Sequence, residues 1–295
     1  MKVIEAIILG IVQGLTEFLP VSSSGHLSIV KALMGVDLES NLFMNVMLHI
    51  GTLVAVIICY RKLIARLIIE FFSMIRDIFT GKFTFKKMND SRNMIFMLII
   101  ALLPLFLLFI PLPFTDGVNL KDLAETFGTT PYLWLVGTSL ILTSVFLTLG
   151  IIFNKYNIPR NRIKTRYNAF DALVVGIAQC FAAVLSGFSR SGSTLAVGQM
   201  RGIDKQTALD FSFVLGIPSI FAAALLELKD AVSAESNPVS TIGILPILTG
   251  IAVSAVVGIG AIKLFKWMLS KDRTYIFAIY TAAVGLATVI YSFVR

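Results

Sequence analysis

Two short polar runs interrupt an otherwise apolar chain, and their residue types suit phosphate chemistry. The first, TEFLPVSSSGHLSIV at 16–30, carries Glu17, Ser22, Ser23, Ser24 and His26. The second, SGFSRSGST at 186–194, carries Gly187, Ser189, Arg190, Ser191, Gly192, Ser193 and Thr194. Gln13 and Glu17 are four residues apart and so share a helix face. A carboxylate inside an apolar segment is costly, which marks it as functional by default. Pro20 ends that first helix, and the serines after it stand where a second one starts, at about residue 24. Serine caps helix N-termini, and the free N–H groups there attract anions. The second run also opens a half-helix. Gly187 and Gly192 let backbone approach a ligand, and Arg190 is a forked donor suited to phosphate oxygens. Two helix N-termini, an arginine and several hydroxyls aimed at one spot describe a phosphate site. Glu17 and His26 add a metal ligand and a general acid/base.

Plainer readings exist for several of these residues. Serines in membrane helices back-bond to carbonyls, and Arg190 could bridge to Glu17 structurally. Gln13 and Gln179 suit interhelical hydrogen bonding, Gln179 above all. His49, in the apolar run VMLHIGTLVA at 46–55, reads as a packed polar contact rather than a ligand. Cys59 and Cys180 have no metal-type spacing.

The elements that must position the two runs follow from composition. The 295 residues are 57% hydrophobic and 14% charged, with mean hydropathy +0.87, whereas soluble domains carry about 25% charged residues. This indicates an all-α polytopic membrane protein, read as a single membrane domain over 1–295. No cleavable leader is expected, because the first apolar run lacks a basic start and contains Glu5, Gln13 and Glu17. Six apolar segments are long enough to span: 42–60, 93–112, 131–153, 208–226, 241–263 and 274–293. The net charge of +8 collects in three stretches read as loops, 61–92, 154–167 and 263–273. The stretches 113–130 and 227–240 are acidic instead. That is the positive-inside asymmetry, so the basic charge orients the protein and argues against nucleic acid as a partner.

Two apolar regions remain, 2–35 and 168–202, each broken mid-way by one of the polar runs. The charge rule requires each to enter and leave on one side, as a re-entrant helix hairpin; a single kinked span over 2–35 is the alternative. Ala6, Gly10, Ile11, Gln13, Leu19 and Ser23 match Ala172, Gly176, Ile177, Gln179, Leu185 and Ser189 at an offset of 166. Each half continues with three spans. An inverted-topology repeat is therefore expected, about 1–153 and 168–295, with the broken helices meeting near the midplane.

The run from Gln13 to His26, QGLTEFLPVSSSGH, resembles the first signature of the undecaprenyl-diphosphate phosphatase family, the bacitracin-resistance type. The run Gly187–Thr194 resembles its second, Pro-Gly-x-Ser-Arg-Ser-x-x-Thr, with Ser186 in place of the proline. Gln13 stands where many members have Glu, which removes one candidate metal ligand. The resemblance covers essentially the whole chain. It implies hydrolysis of undecaprenyl diphosphate to the monophosphate carrier for cell-wall polymers, in the bacterial plasma membrane, with the site toward the outer face. It also implies a divalent cation (Mg2+ or Ca2+) held by Glu17 with Gln13, and it allows a homodimer. Ser23 matches the family's candidate nucleophile, with its proton passing to His26 or Glu17. Arg190 clamps the diphosphate, with phosphate contacts from Ser22, Ser24, Gly187, Ser189, Ser191 and Thr194. Transport of a polyprenyl phosphate through the same site is the competing expectation.

Overall fold

The computed structural model describes residues 1–34, 42–84, 88–111, 119–120, 132–158, 162–233 and 242–294. Among them are ten α-helices: α1 Val3–Phe18, α2 Ser23–Met34, α3 Leu42–Phe79, α4 Asp90–Leu102, α5 Leu133–Asn157, α6 Ala169–Val184, α7 Arg190–Met200, α8 Lys205–Ser233, α9 Ile244–Ser270 and α10 Tyr275–Val294. A 3₁₀ turn, Leu103–Phe109, continues α4. Extended pairing among the described residues is limited to isolated bridges. Six helical stretches are long and apolar enough to cross a membrane: Phe43–Phe79, Asp90–Phe109, Leu133–Asn157, Lys205–Leu226, Ile244–Ser270 and Tyr275–Val294. They mark a multi-pass membrane protein.

The helix boundaries have local causes. Leu19, just before Pro20, is extended (φ −66°, ψ 144°), because the proline ring disfavours the helical region for its predecessor. Ser22 then turns at φ 73°, and α2 begins. Pro104 ends α-geometry in the expected 93–112 span, which is why a 3₁₀ turn follows. The 61–92 stretch departs from the reading as a basic loop. α3 runs unbroken to Phe79, so Arg61, Lys62, Arg66 and Arg76 ride on helix. Nothing between 52 and 80 is Gly or Pro, and Lys, Arg, Leu and Ile sustain a helix beyond the apolar stretch. The acidic stretches that set sidedness fall largely outside the described residues.

α1 packs mainly on α9, and α6 packs on α4 and its 3₁₀ extension. Both contacts are backbone-close. A Cβ on Gly14 would lie 2.7 Å from the Ser254 carbonyl oxygen, and one on Gly176 would lie 2.4 Å from that of Ala101. Small residues permit such approach between membrane helices. α6 and α7 double back on each other. Arg201, just after α7, donates at 2.8 Å to Asp171 in the first turn of α6, and Lys164 donates to the same carboxylate at 2.9 Å. α1 and α2 also touch. Ala6 and Leu9 share an apolar cluster with Leu27, Met44, Leu48, Ile242 and Ile247. The main core lies beneath the polar loops, where Phe213 meets Phe18, Tyr60 and Phe265 at ring distances of 5.5, 5.7 and 5.9 Å.

Candidate active site

Glu17 is the hub. It sits buried in the last turn of α1, one turn beyond Gln13. Its Oε2 accepts from Ser23 Oγ at 2.7 Å and from Gln13 Nε2 at 3.0 Å. Its Oε1 accepts from Arg190 Nη2. The reading of Arg190 as a partner of Glu17 therefore describes a contact that is present, and it joins the two polar loops. A hydroxyl donating to a carboxylate, with a guanidinium on the far oxygen, is the arrangement of a nucleophile, its base and a group that orients the base.

The loops also meet through backbone. The Gly187 N–H donates to Ser24 Oγ at 3.4 Å, and Ser191 Oγ donates to the Leu19 carbonyl at 3.2 Å. A Cβ on Gly25 would stand 2.9 Å from the Gly187 Cα. Gly187 itself needs its glycine, at φ 98° with the Val136 carbonyl oxygen 2.4 Å from where a Cβ would be. Each loop caps the helix that follows it. Ser22 Oγ accepts from the Gly25 N–H at 3.3 Å, and Ser189 Oγ accepts from the Gly192 N–H at 3.1 Å. Ser23 and Ser24 in the first turn of α2 and Arg190 and Ser191 in the first turn of α7 border one cavity, and helix N-termini favour anions.

Around Glu17 and Arg190 lies a cavity of about 260 Å³. Ser22, Ser23, Ser24, Ser189 and Ser191 line it, with His49, Gln179 and Ser219. Its apolar wall comes from Leu105, Leu108 and Phe109 of the 3₁₀ turn and from Ala222, Ala223 and Leu226 of α8. Four expected site residues are not in its lining: Gln13 and Gly187, which bond Glu17 and Ser24, and His26 and Thr194. His26 has its Nδ1 at 2.8 Å from the Ser22 carbonyl and its Nε2 at 2.9 Å from the Tyr280 hydroxyl. With Nδ1–H donating, the tyrosine hydroxyl donates to Nε2, so both ring nitrogens are occupied away from Ser23. Thr194 Oγ1 back-bonds to the Arg190 carbonyl at 2.8 Å and pairs with Ser212 Oγ at 2.6 Å.

Three positions lie outside the expected set of site residues. His49, read as a packed contact, lines the cavity with Nε2 at 3.7 Å from Glu17 Oε2, while its Nδ1 lies 2.9 Å from the Asn45 carbonyl. Its signal was an imidazole alone within an apolar span. Thr143 of α5 accepts from the Ser189 N–H at 2.9 Å and donates to the Gly187 carbonyl at 3.2 Å, pinning the second loop. Gly216 of α8 lies under Arg190, where a Cβ would fall 2.0 Å from Nη1. Nothing local to residues 143 or 216 announces either contact.

For a divalent cation the donor set is sparse. Among the described residues no group of three or more His, Cys, Asp or Glu stands together. Gln13 Oε1, however, is buried without a hydrogen-bond partner beside Glu17. One carboxylate with one spare carbonyl fits a cation that takes most of its oxygens from a substrate's phosphates, as Mg2+ commonly does.

The family model described as "Bacitracin resistance protein BacA" matches residues 6–287, which contain both polar loops and the cavity. The chain belongs to the BacA family. Relatives of the same length agree. An undecaprenyl-diphosphatase of Alkaliphilus metalliredigens is 36% identical over 292 residues, covering 99% of both chains. One of Bacteroides thetaiotaomicron is 37% identical over 291 residues, covering 98% of this chain and 99% of its own. One of Methanosphaera stadtmanae is 34% identical, covering 100% of this chain and 99% of its own. In this BacA-family chain the two loops that carry the motifs are the two that meet at Glu17 and Arg190.

Proposed function

We propose that this protein is a membrane phosphatase that hydrolyses undecaprenyl diphosphate to undecaprenyl phosphate and inorganic phosphate. The observation that carries the proposal is the 2.7 Å hydrogen bond from Ser23 Oγ to Glu17, next to Arg190, in a cavity with one apolar wall. A carrier that only moved its lipid would need donors but no base. The named activity of the relatives supports the same reading.

In this mechanism the diphosphate displaces part of the Arg190–Glu17 contact. Arg190 and the N–H groups that open α2 and α7 neutralise the transferring phosphoryl. Ser23 Oγ attacks the terminal phosphorus and its proton passes to Glu17. The anhydride P–O bond breaks and the prenyl phosphate leaves. Glu17 gives that proton to the departing prenyl phosphate; water then cleaves the phosphoserine, with Glu17 taking the water's proton and returning it to Ser23 Oγ as inorganic phosphate leaves. Contact distance favours Glu17 over His26 as the base. His26, held between the Ser22 carbonyl and Tyr280, fixes the turn that presents Ser23. Glu17 and Gln13 Oε1 would hold a divalent cation, Mg2+ or Ca2+, which would neutralise phosphate charge. The prenyl tail would follow the wall of Leu105, Leu108 and Phe109 toward lipid.

The proposal includes the setting. The two polar regions form re-entrant hairpins in an inverted repeat. The Asp171–Arg201 pair supports this by holding the entry of α6 beside the exit of α7, and so does the matched packing of α1 on α9 and α6 on α4. The protein would lie in the plasma membrane with basic stretches cytoplasmic and the site toward the outer face. There it would recycle the lipid carrier for cell-wall synthesis and confer bacitracin resistance. Phosphate release from undecaprenyl diphosphate in detergent, where flipping is impossible, is the test. No release with Mg2+ or Ca2+ added would overturn the enzyme reading in favour of transport.

A further inference from the structure

A second cavity, of about 580 Å³, opens between α3 and α9. Five cations line it: Arg61, Lys62 and Arg66 from α3, and Lys263 and Lys266 from α9. Asp210 of α8 is the one carboxylate in its wall. That carboxylate is already engaged. It accepts from Tyr60 Oη at 2.9 Å and Gln206 Nε2 at 3.0 Å, and faces Lys266 Nζ at 3.9 Å. Lys266 also stands 3.8 Å over the Tyr60 ring. Among the described residues Arg61, Lys62, Arg66 and Lys263 have no ion-pair partner. Four uncompensated cations therefore converge on one concavity.

The cavity is separate from the site at Glu17. Tyr60 follows His49 by eleven residues on one unbroken helix, about 16 Å along its axis. In a hydrocarbon layer about 30 Å thick, that displacement carries the pocket toward the boundary on the side of the basic stretches. The wall is amphipathic, with Ile58 47% exposed at its edge and Leu63 and Ile259 beside it. A free anion would need only the cations. A lipid would use the apolar wall as well.

We propose that this pocket binds the phosphate headgroup of an anionic membrane lipid, with Arg66 and Lys263 gripping the phosphate and Ile58 and Ile259 flanking the first acyl carbons. Basic pockets between membrane helices hold such headgroups. The basic charge on α3 and α9 would then serve as a ligand site in addition to setting orientation.

The test is native mass spectrometry of the full chain in detergent, titrated with phosphatidylglycerol and, separately, phosphatidylcholine. Wild type should bind phosphatidylglycerol more tightly. The exposed double substitution R66Q/K263Q should weaken that binding about fivefold per cation removed and leave phosphatidylcholine unchanged. A control with equal charge loss outside the pocket, K82Q/K155Q, should keep the wild-type preference, and melting in detergent reports the fold of each variant. The proposal is overturned if R66Q/K263Q retains the preference, or if the control loses it equally, since net charge would then suffice. Displacement of phosphatidylglycerol by millimolar inorganic phosphate would also overturn it, by making the site one for free phosphate.

Discussion

The two polar loops use the same local device, a helix start rich in serine, for opposite purposes. In the first, Ser23 is half-buried and Ser24 exposed, and both face the cavity. In the second, Ser189, Ser191, Ser193 and Thr194 are each 3% exposed or less. Their hydroxyls cap α7, back-bond within it, or tie it to Leu19 and Ser212. The second loop is a frame from which one long side chain, Arg190, reaches across to Glu17. Hydroxyl content therefore does not locate the chemistry. What separates the loops is whether each hydroxyl is consumed by backbone. The first loop keeps one hydroxyl, that of Ser23, on a carboxylate, and the second commits its hydroxyls to capping α7, to back-bonds within it and to ties to Leu19 and Ser212.

Substitutions that break this division should differ in size and kind. Ser23→Ala should show the largest effect, a fall in phosphate release of about 1,000-fold or more with the fold intact. Near-normal turnover would mean that water attacks directly and Ser23 only binds. Next comes the frame. Gly216→Ala drives a methyl into the Arg190 guanidinium, and should lower kcat/KM by roughly 10- to 100-fold, since small misplacements of a clamp are costly. Equal loss of melting temperature and activity would instead make Gly216 a packing residue. His26→Asn should cost less than about tenfold, because Glu17 and not His26 meets Ser23. A loss as deep as that of Ser23→Ala would move the base to His26. Thr194→Val should be the smallest in activity. It removes the bonds to Arg190 and Ser212 and should destabilise by about 1–2 kcal/mol while turnover in the folded fraction holds. A large activity loss with unchanged melting would give Thr194 a direct phosphate contact.

Much of this was readable from the chain. Long uninterrupted apolar runs place spans because twenty such residues have few other uses, and five of the six expected spans became α-helices over most of their length. Pro20 and Gly187 located both breaks, since each acts on its own backbone. The 93–112 span required weighing Pro104 against an apolar run, and the proline won. The reach of α3 to Phe79 was missed because charge was read as loop, although exposed Lys and Arg are compatible with helix.

Residue types and spacing alone determined the apolar class of the protein and the two interrupted regions, and supplied the candidate residues of the proposed phosphate site: Glu17, Ser23, His26 and Arg190. Those properties act through local backbone preference and through the cost of placing polarity in an apolar run. Tertiary structure decided how the inventory was used. It set Arg190 on Glu17 across 173 residues, turned His26 toward Tyr280, brought His49 to the carboxylate, and put Gly216 where only a missing Cβ leaves room for a guanidinium. Each of these depends on which helix lies against which, and hydrogen-bond partners distant in sequence leave no periodicity for a reader to find.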